Sequence, residues 1–450
     1  MKRKIYNTLK IWKEKHSHSE ALLIDGARRV GKSWIAEEFG RNEYRSYVII
    51  DFSRVSEEIK DVFDNYVHEP NEFFMRLQLI TGTKLYEKES LIIFDEVQRY
   101  PKAREAIKWL VADGRYNFIE TGSLVSIRKN TAGITIPSEE YHVDMWPMDF
   151  EEFLWALGED MLMGFIHDSF MQRRPLGQAL HRKAIDLFRL YLIVGGMPQA
   201  VLEYRDSKDF DNVDHVKRNI LQLYRNDIYQ YAGDEAPKVI QIWDSIPSQL
   251  QRPAKRFRIG LVKKGARNRD YETALFWLNE ARIVNPCYAA TEPSIGLKLN
   301  SEQSKYKLYM ADSGLLISHA FDQTAIKNYE LYRKIILGKL ELNKGALVEN
   351  VVAQMLRAAG HPLFFYQKTD REVKEENMEI DFLVRTPVTT SRHNINAIEV
   401  KSTQRYTTSS LDKFEKKFKQ YINESIILHT GDLMVKEAKL YLPLYMTPFI

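Results

Sequence analysis

Residues 21–33 read ALLIDGARRVGKS, an apolar run that passes straight into a glycine-bounded turn and then a lysine and a serine. The run has the length and composition of a buried strand. Gly26, Ala27, Arg28, Arg29, Val30, Gly31, Lys32 and Ser33 fill the pattern G-x-x-x-x-G-K-S, here just after a strand and at a helix start. Backbone N–H groups converge on an anion only in a tight turn, and glycine both tolerates the dihedrals and lets phosphate oxygens approach. The helix predicted from Lys32 aims its first N–H groups at the same anion. Lys32 is then expected to reach the β and γ phosphates of ATP, and the Ser33 hydroxyl to complete the shell of a Mg2+ ion. A plain glycine turn before a helix is the competing reading, and the full pattern in this setting disfavours it.

Outward from this stretch the same rhythm returns. SYVIID, SLIIFD and YNFIE are candidate strands, and the segments opened by Lys32, Pro70 and Pro101 carry apolar residues at helical spacing, proline being permitted at a helix start. Strands alternating with helices predict a parallel, doubly wound α/β sheet. LIIFDE at 91–96 ends in two acids. Asp95 is expected to hold the magnesium through its water shell and Glu96 to polarise the attacking water, a role a transferring kinase would not need. FIETGS at 118–123 forms the next strand end, where Ser123 or Thr121 is placed to sense the γ-phosphate. Arg99, Arg128 and Arg225 are candidate transition-state arginines, and spacing does not choose among them.

The chain of 450 residues, 44% hydrophobic and 28% charged, predicts several ordinary globular domains. No apolar run approaches the length of a membrane span, and the start MKRKIYNTLKIWKEKHSHSE lacks the apolar core of a signal peptide. A single cysteine, Cys287, excludes an internal disulfide and a multi-cysteine zinc site. These features together predict a cytoplasmic protein that does not engage a membrane. The net charge of +4 argues for no nucleic-acid partner by itself. His16 and His18 have no partner spacing and read as surface.

Composition shifts divide the chain into residues 1–145, an α/β nucleotide-binding core; 146–236, a helical segment broken at Gly195, Gly196 and Pro198; 237–330; and 331–450. In 237–330, two helical stretches flank a basic, glycine-containing connection and lead into the strand-like IVNPCYA and KYKLYMAD, an order that predicts a winged helix. Within it Arg252, Lys255, Arg256, Arg258, Lys263, Lys264, Arg267 and Arg269 form a run free of acids until Asp270. Such a run can neutralise phosphates and release their counterions, so Arg256, Arg258, Lys263 and Lys264 are candidate DNA contacts. A solvated loop is the competing reading.

Residues 331–450 read as helix, three strands, helix and strand. The first helix carries Leu347, Val351, Val352, Met355 and Leu356 on its apolar side, with Gly360 placed to stop it. EIDFLV then contains Asp381, and AIEVKS contains Glu399 and Lys401. Strand alternation puts Glu399 and Lys401 on one face, with Ile398 and Val400 on the other. Asp381 and Glu399 on adjacent strands could hold a divalent cation, Lys401 could act on water or on phosphate charge, and Glu349 could complete the metal set from the helix. An exposed acid–lysine pair on a sheet edge is the competing reading.

The motifs GARRVGKS, LIIFDEVQRYP, FIETGS, WPMDFEEFLWA, VGGMPQAV, YRNDI, YETALFWLNEARIV, ADSGLL, GALVENVVAQML, EIDFLV and IEVKS together resemble prokaryotic AAA-type ATPases that carry a C-terminal domain of unknown function. The resemblance covers nearly the whole chain. Many relatives carry a glycine–arginine pair before Pro-x-x-F-x-E-F, where this chain reads GITIPSEEYHVDMWPMDFEEF, so a role for that arginine does not transfer. The last region resembles the PD-(D/E)XK nuclease core, with Asp381, Glu399 and Lys401 matching its motif, Glu349 its helical acid, and Ile380 standing where that family has proline. The resemblance implies an ATPase whose cycle controls a nuclease-like domain acting on DNA, with magnesium serving both halves. It leaves the oligomeric state open, a homo-oligomer included. An ATP-dependent switch that binds DNA or protein without cutting is the alternative, and a signalling or toxin-antitoxin-like interaction protein is a third reading.

Overall fold

The structure, a computed structural model, describes residues 1–122, 137–252, 255–321 and 344–450, apart from 371, 373–375, 387–389, 391 and 404. The chain forms two compact units, Met1–Trp146 and Pro147–Ile450.

In the first unit, β1 (Ala21–Asp25), β2 (Ser46–Asp51), β3 (Ser90–Asp95), β4 (Asn117–Gly122) and β5 (Glu140–Asp144) form a five-stranded sheet in the order β2-β3-β4-β1-β5. Every pairing in it is parallel. Central strands covered on both faces must be apolar throughout, and every residue of β1 is buried. One face carries Leu23, Ile92, Phe94 and Phe118 against Ile59, Phe63, Phe73, Phe74 and Ile107 from the helices Glu57–Asn65, Pro70–Thr81 and Pro101–Asp113. The other face takes the helix Lys32–Glu43, where a Cβ on Gly40 would come within 3.1 Å of Tyr47 and 3.3 Å of Leu91. The sequence reading names no strand at β5. Its burial alternates along an edge strand, so it never presents the apolar run that marks its neighbours. Arg104 ties it down through paired bonds of 2.9 and 2.7 Å to Glu140.

In the second unit the helices Phe150–Ala156, Asp160–Met171, Gln178–Val194, Pro198–Ser207 and Phe210–Tyr231 account for the helical pattern predicted there. An eight-stranded mixed sheet follows, in the order β12-β13-β11-β10-β9-β8-β6-β7. Its strands are β6 (Val284–Ala290), β7 (Ser301–Met310), β8 (Phe364–Lys368), β9 (Met378–Arg385), β10 (Ile395–Val400), β11 (Ile422–His429), β12 (Met434–Lys436) and β13 (Lys439–Pro443). With the helices Lys344–Ala358 and Ser409–Phe418, the expected helix, three strands, helix and strand are present between 344 and 429. β8, β9 and β10 pair antiparallel in turn, and β11 joins β10 in parallel. The antiparallel hairpin β6–β7 belongs to the same sheet, because β6 runs parallel to β8 at Tyr288 with Phe364 and Ala289 with Phe365.

The motifs VGGMP, ADSGLL and VENVVAQML meet at one polar joint inside this unit. Asp312 accepts from Gly196 N at 2.5 Å and from Leu315 N at 2.8 Å. Gln354 accepts from Ser313 N at 2.8 Å and donates to Tyr191 Oη at 2.9 Å, while Tyr191 donates to Met148 O at 2.6 Å. The glycines exist for this closeness: a Cβ on Gly196 would stand 2.0 Å from Met148 O, and one on Gly314 2.4 Å from Val194 O. Gly196→Ala should therefore cost about 2–3 kcal/mol, since backbone rather than a flexible side chain must yield. Urea unfolding followed by tryptophan fluorescence checks this, and an unchanged midpoint would contradict the packing argument.

Candidate functional site

The turn after β1 is built by local backbone geometry. Gly31 lies at φ 99° and Arg29 at φ 71°, so the chain coils left-handed where glycine is at ease and Arg29 is held against preference. A Cβ on Gly26 would meet Met145 O at 2.3 Å, which leaves glycine as the residue that fits. Ala27 and Val30 are buried, Arg28 is half-buried and Arg29 exposed. Arg3, which the sequence reading did not single out, pins the loop from behind by donating to Val30 O at 2.9 Å and Trp146 O at 2.7 Å. Lys32 is buried and donates to Gly26 O at 2.9 Å and Ala27 O at 3.1 Å. Burial pushes its ammonium below the usual lysine range, against the opposing pull of Glu96, Asp25 and Asp95. Both carbonyl acceptors belong to the loop itself, so the ammonium sits over the space the loop encloses.

The ends of β3 and β4 complete this site. Ser33 Oγ donates to Asp95 Oδ1 at 2.6 Å, and the Thr121 hydroxyl bonds to the same oxygen. Thr121 Oγ1 also accepts from Glu96 N at 3.3 Å. Glu96 takes φ 54°, and its Oε2 accepts from Gln98 Nε2 at 2.6 Å. A hydroxyl and a carboxylate within hydrogen-bond reach at the mouth of a phosphate-type loop fit a hard divalent cation, which takes oxygen ligands and keeps several waters. Gln98, which orients Glu96, had no signal in the sequence beyond its place two residues on. Ser123 and Arg128 lie outside the described residues. Arg99 is exposed, and Arg225 is held by Asp244 at 2.6 Å within the second unit.

The C-terminal acids are also brought near one another, but in company the sequence reading did not foresee. Asp381 on β9 accepts from Val400 N at 2.9 Å, and Glu399 on β10 holds Lys401 Nζ at 2.7 Å. Burial raises the Glu399 carboxyl to about 6, with Lys401 opposing, and Glu399 Oε2 is buried without a partner. Glu349 is buried on the helix Lys344–Ala358, bonded to Lys255 and accepting from Tyr309 Oη at 3.2 Å. Between these groups stands Lys307 of β7. Its side chain is 1% exposed and its Nζ lies 2.7 Å from Glu379, 3.5 Å from Asp381 and 3.9 Å from Glu349. Burial alone would strip its proton, but the three carboxylates outweigh burial and raise its pKa, so it stays charged.

Such surroundings do not fit the divalent cation that a nuclease-type reading assigns to Glu349, Asp381 and Glu399. A hard cation needs carboxylate oxygens free to approach within about 2.0–2.6 Å, whereas Asp381 Oδ1 and Glu349 Oε2 face an ammonium and Glu349 Oε1 faces a second one. Among the described residues no group of three or more His, Cys, Asp and Glu side chains is arranged to hold a metal ion.

The basic run lies between the helices Ala236–Leu250 and Glu272–Glu280, interrupted by the short helix Ile259–Val262. Arg258, Lys263, Lys264, Arg267 and Arg269 are exposed and Arg256 is half-buried. Lys255 turns inward to Glu349, and Phe257 is buried against Tyr306 with ring centroids 5.7 Å apart. So the run has a solvent side and an inward side. Among the described residues no helix is long and apolar enough to cross a membrane.

Comparison with known proteins finds three family models along the chain. Residues 18–154 match the family described as AAA domain, 185–325 match a domain of unknown function (DUF8612), and 344–446 match another (DUF4143). No curated protein matches the chain. Among solved structures it is similar to a Walker-type ATPase of Pyrococcus abyssi, at 16% identity over 71% of this chain and 96% of that one, with a TM-score of 0.41. It is also similar to a signal-transduction ATPase with a tetratricopeptide-repeat sensor from Pyrococcus horikoshii, at 12% identity and a TM-score of 0.28 over 79% of this chain and 48% of that one. A further similarity is to PCH-2 of C. elegans, at 12% identity and a TM-score of 0.26 over 46% of this chain and 63% of that one. With its parallel sheet, its glycine turn between β1 and a helix, and its match over residues 18–154, the first unit carries an AAA domain with the fold of a P-loop nucleotide-binding domain.

Proposed function

We propose that the chain hydrolyses ATP at the Gly26–Ser33 loop and uses the cycle to control DNA binding by its second unit, without cutting the DNA. The observation that carries the ATPase half is the convergence of the Ser33 and Thr121 hydroxyls on one carboxylate oxygen of Asp95, with Glu96 next in the chain. In this reading Lys32 leaves Gly26 O and Ala27 O to meet the β and γ phosphates. Backbone N–H groups of the turn and of the first helical residues hold the same oxygens. Ser33 and Asp95 hold magnesium, which when bound neutralises phosphate charge. Glu96, steadied by Gln98, accepts a proton from the water that attacks the γ-phosphate. An ATPase assay with purified full-length protein tests this half.

The DNA half is supported by the exposed cations Arg258, Lys263 and Lys264, with Arg256 beside them, set between two helices that a β-hairpin follows, the order expected of a winged helix. Reversing Arg256, Arg258, Lys263 and Lys264 to glutamate should weaken duplex binding uniformly across sequences. Each lost phosphate contact lowers the salt slope by about 0.9, so the slope of log K against log salt should fall by roughly 3–4. Fluorescence anisotropy at several salt concentrations reads this, and an unchanged slope removes the segment from the interface.

A cleaving nuclease remains the second reading, favoured by the helix-strand-strand-strand-helix-strand order around Asp381, Glu399 and Lys401 and by the partnerless Glu399 Oε2. Labelled plasmid and linear DNA, incubated with wild-type protein, ATP and manganese, should stay intact. Cutting that disappears in Asp381→Asn would restore this reading.

A further inference from the structure

We infer that Lys307 is the resident cation of the C-terminal carboxylate cluster, filling with its own ammonium the position a divalent metal would take and keeping the cluster metal-free. Glu349 comes from a helix, and Glu379 and Asp381 come from β9, two residues apart and hence on one face of that strand. Their oxygens meet Lys307 Nζ at 3.9, 2.7 and 3.5 Å. In the sheet, β6 pairs with β8 at Tyr288 and Ala289. Farther along the hairpin Lys307 stands opposite Cys287. Its Nζ also lies over the Phe365 ring, 5.1 Å from the centroid, a cation–π contact that adds to the ion pairs.

The remaining acceptors are also taken. Lys255 bonds Glu349 Oε1, Tyr309 donates to Glu349 Oε2, and Val400 N–H donates to Asp381 Oδ2. Three carboxylates therefore share two buried or half-buried ammoniums and further hydrogen bonds. Inserting a divalent ion would place it against Lys307, where like charges at such range in a poorly solvated site repel strongly. Expelling Lys307 instead would leave the buried carboxylate of Glu349 and the largely buried one of Asp381 without that cation, which is costly. The cluster thus behaves as a closed ionic joint between the hairpin β6–β7, the helix Lys344–Ala358 and β9.

The test uses nucleotide-free full-length protein and Mn2+ alone, read by electron paramagnetic resonance of the free ion and by thermal unfolding, so neither ATP turnover nor DNA binding enters. Wild-type protein should bind no Mn2+ at this cluster: Mn2+ occupancy should be the same in wild type and Asp381→Asn/Lys307→Met, and Mn2+ should leave the melting temperature of each unchanged. Lys307→Met alone should acquire one Mn2+ site per chain, and Mn2+ should raise its melting temperature by roughly 2 °C, the shift expected of a weak site in a unit as large as Pro147–Ile450. Adding Asp381→Asn to Lys307→Met should abolish the acquired site. One Mn2+ bound by wild type and lost in Asp381→Asn overturns the inference, as does a folded Lys307→Met that acquires none. Should Lys307→Met fail to fold, the wild-type and Asp381→Asn measurements decide alone, and Lys307→Arg, which keeps the charge, should fold and remain metal-free.

Discussion

Glu96→Gln is expected to lower ATP turnover by about 10²–10⁴-fold, the usual worth of a positioned general base, while ATP affinity stays within a few-fold of wild type. The amide keeps the shape of the carboxylate and can still meet Gln98, which now bonds Glu96 Oε2 at 2.6 Å. It cannot take a proton from water. The separation of binding from turnover is the informative feature, because a variant that merely disturbed the loop would lose both. Fluorescent ATP analogue binding and phosphate release measured on one preparation check it.

Lys32→Ala is expected to act earlier, reducing ATP binding by roughly two orders of magnitude or more, since removing a charge-assisted contact from a buried site costs about 3 kcal/mol or more. Two features make the loss large. Lys32 is buried with its ammonium already bonded to two loop carbonyls, so its removal also leaves Gly26 O and Ala27 O without that donor. Alanine cannot span the gap. Isothermal titration with ATP and magnesium should show no saturable heat in this variant while wild type saturates.

The phosphate loop was legible because its chemistry is local: glycines, lysine and serine act within eight consecutive residues, after a strand whose every residue is apolar or at the turn. Asp95 and Glu96 were legible for the same reason, at the end of a buried run. What Thr121 does was visible only in part, since its hydroxyl meets Asp95 across neighbouring strands, a contact that follows from sheet order rather than from spacing. β5 escaped because edge strands need no continuous apolar run. Gly195 and Gly196 read as helix breakers, but the demand for glycine comes from Met148 and Asp312 approaching from elsewhere in the chain.

The C-terminal cluster shows the harder limit. Asp381, Glu399 and Lys401 stood out through strand alternation, and Glu349 through its place on an apolar helix. Lys307 sits in KYKLYMAD, where a lysine on a short strand looks like an ordinary surface residue. Its partners lie far along the chain, in segments the sequence reading assigned to another region. Lys255 likewise read as one member of a basic run, although it faces Glu349 while Arg258, Lys263 and Lys264 face solvent. Charge is legible in sequence; the direction a long side chain takes is decided by which carboxylates the fold brings within its reach.

Steady-state release of phosphate from ATP and magnesium by the purified full-length chain, compared directly with Glu96→Gln and Lys32→Ala, tests the central claim. The account predicts saturable turnover in wild type, retained ATP binding with turnover lost in Glu96→Gln, and loss of both in Lys32→Ala. Equal turnover in all three proteins, or a wild-type chain that neither binds nor hydrolyses ATP, would contradict it.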